Sequence, residues 1–348
     1  ADTILKDADG AIIGLSGTKA DGSKVTVNAK NVIIATGGFE SNKEMLAKYV
    51  NDSSALGMFE PVWYRGPVTD GKNGDGRTGD GIQMAQLVGA GVKGMHTIAG
   101  NAPYLADLPP INQFMGADEL KQGRCALAQP WLWVDQHGKR FFNESRGSVF
   151  VDVYNAMTSA GGVMYNIIDQ QKYDQLVNKG ALLPFNAIVM AGVPLKALPK
   201  TFEIGQQRGW AFKADTIDDL AAQIGVPPEN LKETMKKVNE YAKAGKDPEF
   251  GRLPEHLATF NMEKGPYYAL KGIRAFFLTL GGVTVNPKFQ ALNPQGDVID
   301  NLYVVGQDIG GLYDSSYDLR CEGSASSFAM TSGRLAADNA LADVKAGK

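Results

Sequence analysis

Long uninterrupted apolar runs are missing from this chain. Among its most apolar stretches is residues 180–199, and Pro, Asn and Gly interrupt it before it reaches the roughly 18 continuous apolar residues of a spanning helix, so no membrane-spanning segment is expected and the chain reads as soluble. An excess of either charge is also missing: 35 Lys and Arg stand against 38 Asp and Glu, with no run long enough for a nucleic-acid arm or an acidic tail. Neither nucleic acid nor a charged membrane surface is an expected partner. Cysteine is scarce. Cys125 and Cys321 lie far apart in sequence without a neighbouring His or Cys, which excludes a zinc site and a disulfide framework but does not fix the compartment. The first residues carry no signal peptide, and because the chain is expected to open within a fold, cytoplasmic and exported locations both stay open. Internal repeats and low-complexity segments are absent as well.

What is present is enough apolar residue, 44% of 348, to fill one large core or two moderate ones, and two lobes are the starting expectation. The chain opens with two apolar segments separated by Asp7-Ala8-Asp9-Gly10, then a second turn at Asp21-Gly22-Ser23, which together predict a small antiparallel meander. Asn31-Val32-Ile33-Ile34-Ala35-Thr36-Gly37-Gly38 has the pattern of a buried strand feeding a tight turn. Helical spacing follows over 42–50 and 79–88, the second with Met84, Leu87 and Val88 on one face. Residues 98–271 are richer in helix-type segments, with loops at Pro109-Pro110 and Gly161-Gly162. The clearest helices there are 216–224, with a Thr cap and an acidic first turn, and 228–244, with Leu231, Met235, Val238 and Tyr241 in register. Strand signals return over 278–285 and 302–306, and an amphipathic helix over 326–342 closes the chain.

Gly74-Asp75-Gly76-Arg77-Thr78-Gly79 matches the spacing of a dinucleotide fingerprint, but no apolar strand precedes it, so the spacing reads as a glycine-rich turn before a helix. Three other turns have the small residues that let backbone approach a ligand. Ala35-Thr36-Gly37-Gly38 and Gly306-Gln307 each end an apolar strand, and Gly323-Ser324-Ala325 opens the last helix, where unsatisfied N–H groups and the positive helix end favour negative charge. Each also fits a plain turn or a capped surface helix.

Read together, Val32-Ile33-Ile34-Ala35-Thr36-Gly37-Gly38-Phe39, Gly79-Asp80-Gly81-Ile82 and Thr279-Leu280-Gly281-Gly282-Val283-Thr284-Val285-Asn286, with the stretch from Gly296 to Gln307, resemble the FAD-dependent fumarate reductase and succinate dehydrogenase flavoprotein family, urocanate reductases included. The resemblance covers essentially the whole chain. It implies an α/β fold: a partial FAD-binding domain over 1–95 and 276–348 holding an inserted, mostly helical α+β capping domain over 96–275. The family's phosphate-binding glycine loop precedes a segment like residues 3–27, so this chain is expected to carry only part of the FAD site and to hold FAD weakly alone. By the resemblance, Ala35, Thr36, Gly37, Gly38, Gly306, Gln307, Gly323, Ser324 and Ala325 contact FAD, with Gln307 standing where the family usually has Glu and reaching the ribityl hydroxyls.

The same resemblance suggests three catalytic residues. Arg146, in Asn143-Glu144-Ser145-Arg146, sits two residues closer to its Asn-Glu pair than the family's proton-donating arginine, and arginine needs a neighbouring carboxylate for that role. Its other reading is an ion-paired surface arginine. Arg320 falls where the family binds a substrate carboxylate, which a planar guanidinium suits, and an ion pair with Asp318 or Glu322 is the alternative. His96-Thr97 matches a His-Pro-Thr segment without its Pro, while Leu278 replaces a second family histidine, which disfavours fumarate. The implied activity is hydride transfer from reduced FAD to an activated C=C bond of a small carboxylate- or carbonyl-bearing substrate, the electron donor being unspecified. A ketosteroid-type flavin dehydrogenase and a non-catalytic fragment are the alternatives.

Overall fold

The computed structural model describes residues 1–50, 77–100, 102–106, 115–185, 188–313, 317 and 323–347. The chain divides into two compact units: Ala1–Ala99 with Phe276–Lys348, and Gly100–Ala275.

The first unit begins with the meander: β1 (Thr3–Lys6), β2 (Ile12–Thr18) and β3 (Lys24–Asn28) pair antiparallel in that order. Asp7 accepts the N–H groups of Asp9 and Ala11 at 3.0 and 2.9 Å, so the Asp/Gly cluster closes the first turn through its own side chain. Next comes β4 (Val32–Ile34). Val32 and Ile34 are buried but Ile33 is 40% exposed, so this strand is half-buried, where the apolar run suggests burial on both faces. A short helix α1 (Lys43–Met45) continues as a π-turn over Leu46–Val50, and α2 (Asp80–Leu87) lays Ile82 and Ala85 into the core. β5 (Val92–Lys93) and β6 (Ile98–Gly100) end this segment.

The second unit is organised by an antiparallel sheet that the sequence reading did not place. Its strands are β7 (Tyr104–Leu105), β8 (Leu132–Val134), β9 (Val163–Asp169), β10 (Ala211–Ala214) and β11 (Tyr267–Ile273), in the order β10-β11-β9-β8 with β7 on β11. Its helices are α3 (Ala117–Leu127), α4 (Phe150–Ser159), α5 (Gln170–Asn178), α6 (Leu198–Arg208), α7 (Ile217–Ile224) and α8 (Pro228–Ala244). Thr216 caps α7 by accepting the Asp219 N–H at 3.1 Å, and α8 buries Leu231, Met235 and Val238. Asn166 is a fully buried amide in the middle of β9. It donates to the carbonyls of Ala126, Leu127 and Gln129 at 3.0 to 3.2 Å, satisfying acceptors at the end of α3.

The chain then returns to the first unit through β12 (Phe276–Thr279), β13 (Gly282–Val283), β14 (Gln290–Leu292), β15 (Val298–Val304) and the long α9 (Ser324–Lys345). β15 pairs parallel with β4, matching Leu302 to Val32 and Val304 to Ile34, and antiparallel with β14. Phe39, Ile82, Phe276, Val283, Leu302 and Val304 form the centre of its core, so strands from both ends of the chain are joined by one apolar cluster. Among the described residues, no helix is long and apolar enough to cross a membrane.

Candidate functional site

Parallel pairing of β4 with β15 puts their carboxyl ends side by side, and the Val305 N–H donates to the Ile34 carbonyl at 3.0 Å. The turns that follow are tied together by Asp308. This carboxylate is fully buried and accepts from the Thr36 hydroxyl at 2.8 Å and the Gly37 N–H at 2.6 Å, while Thr36 Oγ1 accepts the Gly81 N–H of α2 at 3.0 Å. Burial outweighs those hydrogen bonds and pushes the Asp308 carboxyl up to about 6. The end of β12 joins the same place, since Thr279 Oγ1 accepts the Phe39 N–H at 3.1 Å. Gly306 donates its N–H to Ser332 Oγ on α9 at 3.0 Å.

The start of α9 brings a second group of residues. Gly323 precedes the helix with no side-chain cap, so the first-turn N–H groups lack the usual acceptor from position Ncap. The Ser324 hydroxyl donates to Tyr317 Oη at 3.1 Å and accepts from Tyr313 Oη at 3.5 Å. The two tyrosine rings meet edge to face at 4.8 Å, and Tyr317 is buried with Ala99 and Leu280, with Leu278 packed against them.

In the second unit, the segment carrying Arg146 is built around a buried ionic quartet. Arg140 reaches Glu144 at 2.6 Å and Asp247 at 2.7 Å, and Arg252 reaches Glu144 at 2.9 Å, all four side chains being nearly or fully buried. Burial would raise the Asp247 carboxyl, but the Arg140 hydrogen bonds and charge override it and hold the group at about 2. Glu144 is thus occupied by two guanidinium groups and is not the partner of Arg146. Arg146 instead pairs through Nε and Nη2 with Asp152 Oδ2, and its side chain is 56% exposed. Ser145, between them, contacts His256 Nδ1 at 2.9 Å.

The cofactor-side residues expected from the sequence therefore cluster in two places in the first unit: Ala35, Thr36, Gly37, Gly38, Gly306 and Gln307 at the strand ends, and Gly323, Ser324 and Ala325 at the start of α9. Gln307 donates from Nε2 to Glu40 Oε1 and to the Thr279 carbonyl, the latter at 3.2 Å. His96 is an exposed turn residue between β5 and β6, with no hydrogen bond to its imidazole among the described residues. Arg320, Cys321, Pro109-Pro110 and the Gly74-Asp75-Gly76 part of the rejected fingerprint lie outside the described residues. Sequence reasoning passed over Asp308, Glu40 and Thr279. Their signal was a polar residue at the carboxyl end of an apolar strand, beside glycines already singled out.

Comparison with known proteins gives this arrangement a lineage. The family described as FAD binding domain matches residues 1–323. A vinyl phenol reductase from Lactiplantibacillus plantarum is 28% identical over 336 residues, covering 95% of this chain and 64% of that protein. A urocanate reductase from Eggerthella lenta is 30% identical over 313 residues, covering 89% of this chain and 45% of that protein. The open form of a flavocytochrome c3 fumarate reductase superposes with a TM-score of 0.63 at 23% identity, covering 97% of this chain and 51% of that one. The chain thus spans about half to two thirds of the length of the proteins it resembles here. It belongs to the FAD binding domain family, whose cofactor is FAD.

Proposed function

We propose that the protein containing this chain is a flavin-dependent reductase that reduces an activated carbon–carbon double bond in a small substrate bearing one carboxylate or carbonyl group. The observation that carries the reading is the meeting of the two turns at the carboxyl ends of β4 and β15, the place where open α/β sheets bind their ligands. The residues there fit FAD. No atom of the described residues lies within 4 Å of where a Cβ of Gly37 would stand, which leaves room for a flat ligand against the backbone, and the start of α9, where Tyr317 Oη takes the Ala325 N–H at 3.4 Å, turns its positive helix end to an electron-rich carbonyl edge. Ala35 to Gly38, Gly306, Gln307 and Gly323 to Ala325 would hold it. FAD, when bound, supplies the hydride.

The chain's own part is the proton and the orientation. Arg146 carries the proton for the second carbon, and Asp152, its ion-pair partner, is the carboxylate that such an arginine requires. Arg320 holds the substrate carboxylate. Leu278, packed beside Tyr313 and Tyr317, presents an apolar contact where a second carboxylate would be desolvated without a partner, so a monoanion is preferred to fumarate. The names of the two relatives, reductases of vinyl phenol and of urocanate, support a double bond attached to an aromatic ring. Anaerobic mixing of the reduced full-length protein with cinnamate-type acids and with fumarate, followed by flavin absorbance, tests this. Faster reoxidation by the aryl enoate is expected, with Arg320→Ala costing it about 2 to 5 kcal/mol. Equal or faster reoxidation by fumarate would overturn the substrate assignment.

A further inference from the structure

The turn after β4 carries a carboxyl group that the reading above leaves unused. Glu40 is only 2% exposed; its Oε1 accepts from Gln307 Nε2, and its Oε2 finds no hydrogen-bond partner among the described residues. Gln307 Nε2 also donates to the Thr279 carbonyl at 3.2 Å. Both neighbours of that NH2 group are oxygens that act here as acceptors, which decides how the amide faces: nitrogen inward, carbonyl oxygen on the opposite side of a planar group. Gly38 makes the arrangement possible. A Cβ at this position would stand 2.6 Å from Gln307 Nε2 and 2.7 Å from Glu40 Oε2, so any side chain would push the pair apart. Burial raises the Glu40 carboxyl above its usual range, although the Gln307 hydrogen bond and the Arg77 charge pull it down.

We propose that Glu40 is a positioning residue of the cofactor site: it locks the Gln307 amide so that position 307 presents an acceptor, and never a donor, to a hydroxyl of bound FAD. The proposal rests on the FAD reading of the strand-end turns. Position 307 keeps the acceptor character that the family's usual Glu would give it, while the acidic group moves to Glu40.

The test is a double-mutant cycle. Glu40→Leu, Gln307→Met and the pair are made in the full-length protein, stripped of flavin, and titrated with FAD, the dissociation constant being read from flavin fluorescence. Glu40→Leu removes one of the two acceptors that hold the Gln307 NH2 group and leaves only the Thr279 carbonyl. It is expected to weaken FAD by about tenfold, as the geometry of one buried hydrogen bond is lost. Unchanged affinity in Glu40→Leu overturns the proposal. Failure of the unmodified protein to take up FAD would instead sink the FAD reading itself. Gln307→Met separates this from a purely structural role: without an amide to orient, adding Glu40→Leu is expected to change FAD affinity less than about twofold, and a further loss of about tenfold overturns the role.

Discussion

At the scale of single residues, the carboxyl ends of β4 and β15 are governed by Asp308, a group the sequence reading did not single out. Its folded pKa, raised to about 6 from an ordinary 3.8, has a definite consequence for stability. Below the unfolded value both states bind the proton and the contribution is fully present. Between about 4 and 6 the folded state binds more protons than the unfolded state, so stability is lost as pH rises through this window, on the order of 3 kcal/mol for a shift of this size. Urea unfolding from pH 4 to pH 7 is expected to show the wild type losing more stability across that interval than Asp308→Asn, whose side chain does not titrate. Parallel curves would mean that burial does not dominate at this site. The sequence revealed the turn, because Thr36-Gly37-Gly38 announces close backbone approach, but not its fastener. Asp308 and Gly37 are 271 positions apart, and only the parallel register of β4 and β15 puts one in reach of the other.

Among elements, legibility followed local pattern. The helices over 217–224 and 228–244 match the sequence expectation closely, because a Thr cap, an acidic first turn and a 3.6-residue apolar stripe are all written within the segment. The sheet of the second unit was not legible. β9 and β11 are buried on both faces and lack the alternation that marks a half-buried strand, and β9 carries the inward Asn166 that interrupts its apolar run. The quartet was hidden for a similar reason: Arg140 and Glu144 look like an ordinary exposed i, i+4 pair until the segment over 247–252 closes on them. That closure predicts a large effect for a residue with no proposed catalytic contact. Glu144→Ala leaves two buried guanidinium groups facing each other and is expected to destabilise the fold by about 3 to 5 kcal/mol, readable as a fall in the thermal midpoint. A loss below about 1 kcal/mol, typical of a surface pair, would show that the quartet opens to water.

For the molecule as a whole, the division into two compact units separates the two chemical tasks by sequence segment. The turns proposed to hold FAD belong to the unit formed by Ala1–Ala99 and Phe276–Lys348, whereas Arg146 and Asp152 belong to Gly100–Ala275. A lesion at Arg146 therefore should not reach the flavin. The pair is also surface-exposed, 56% and 36%, so truncating it costs the fold little, about 0 to 1 kcal/mol. Arg146→Ala in the full-length protein is thus expected to keep a full complement of FAD, an unchanged thermal midpoint and normal flavin reduction. Turnover of the alkene should fall by about 10² to 10⁴, the range for losing a positioned proton donor. Arg146→Lys should recover little, because a point charge on a flexible stem does not reproduce the planar fork that Asp152 holds. Asp152→Asn distinguishes a working pair from a bystander: if the carboxylate orients and recharges the guanidinium, turnover drops while FAD content stays constant. Loss of flavin in Arg146→Ala would place the residue on the cofactor side, and turnover within about twofold of wild type would remove it from the proton path, since no general acid contributes so little.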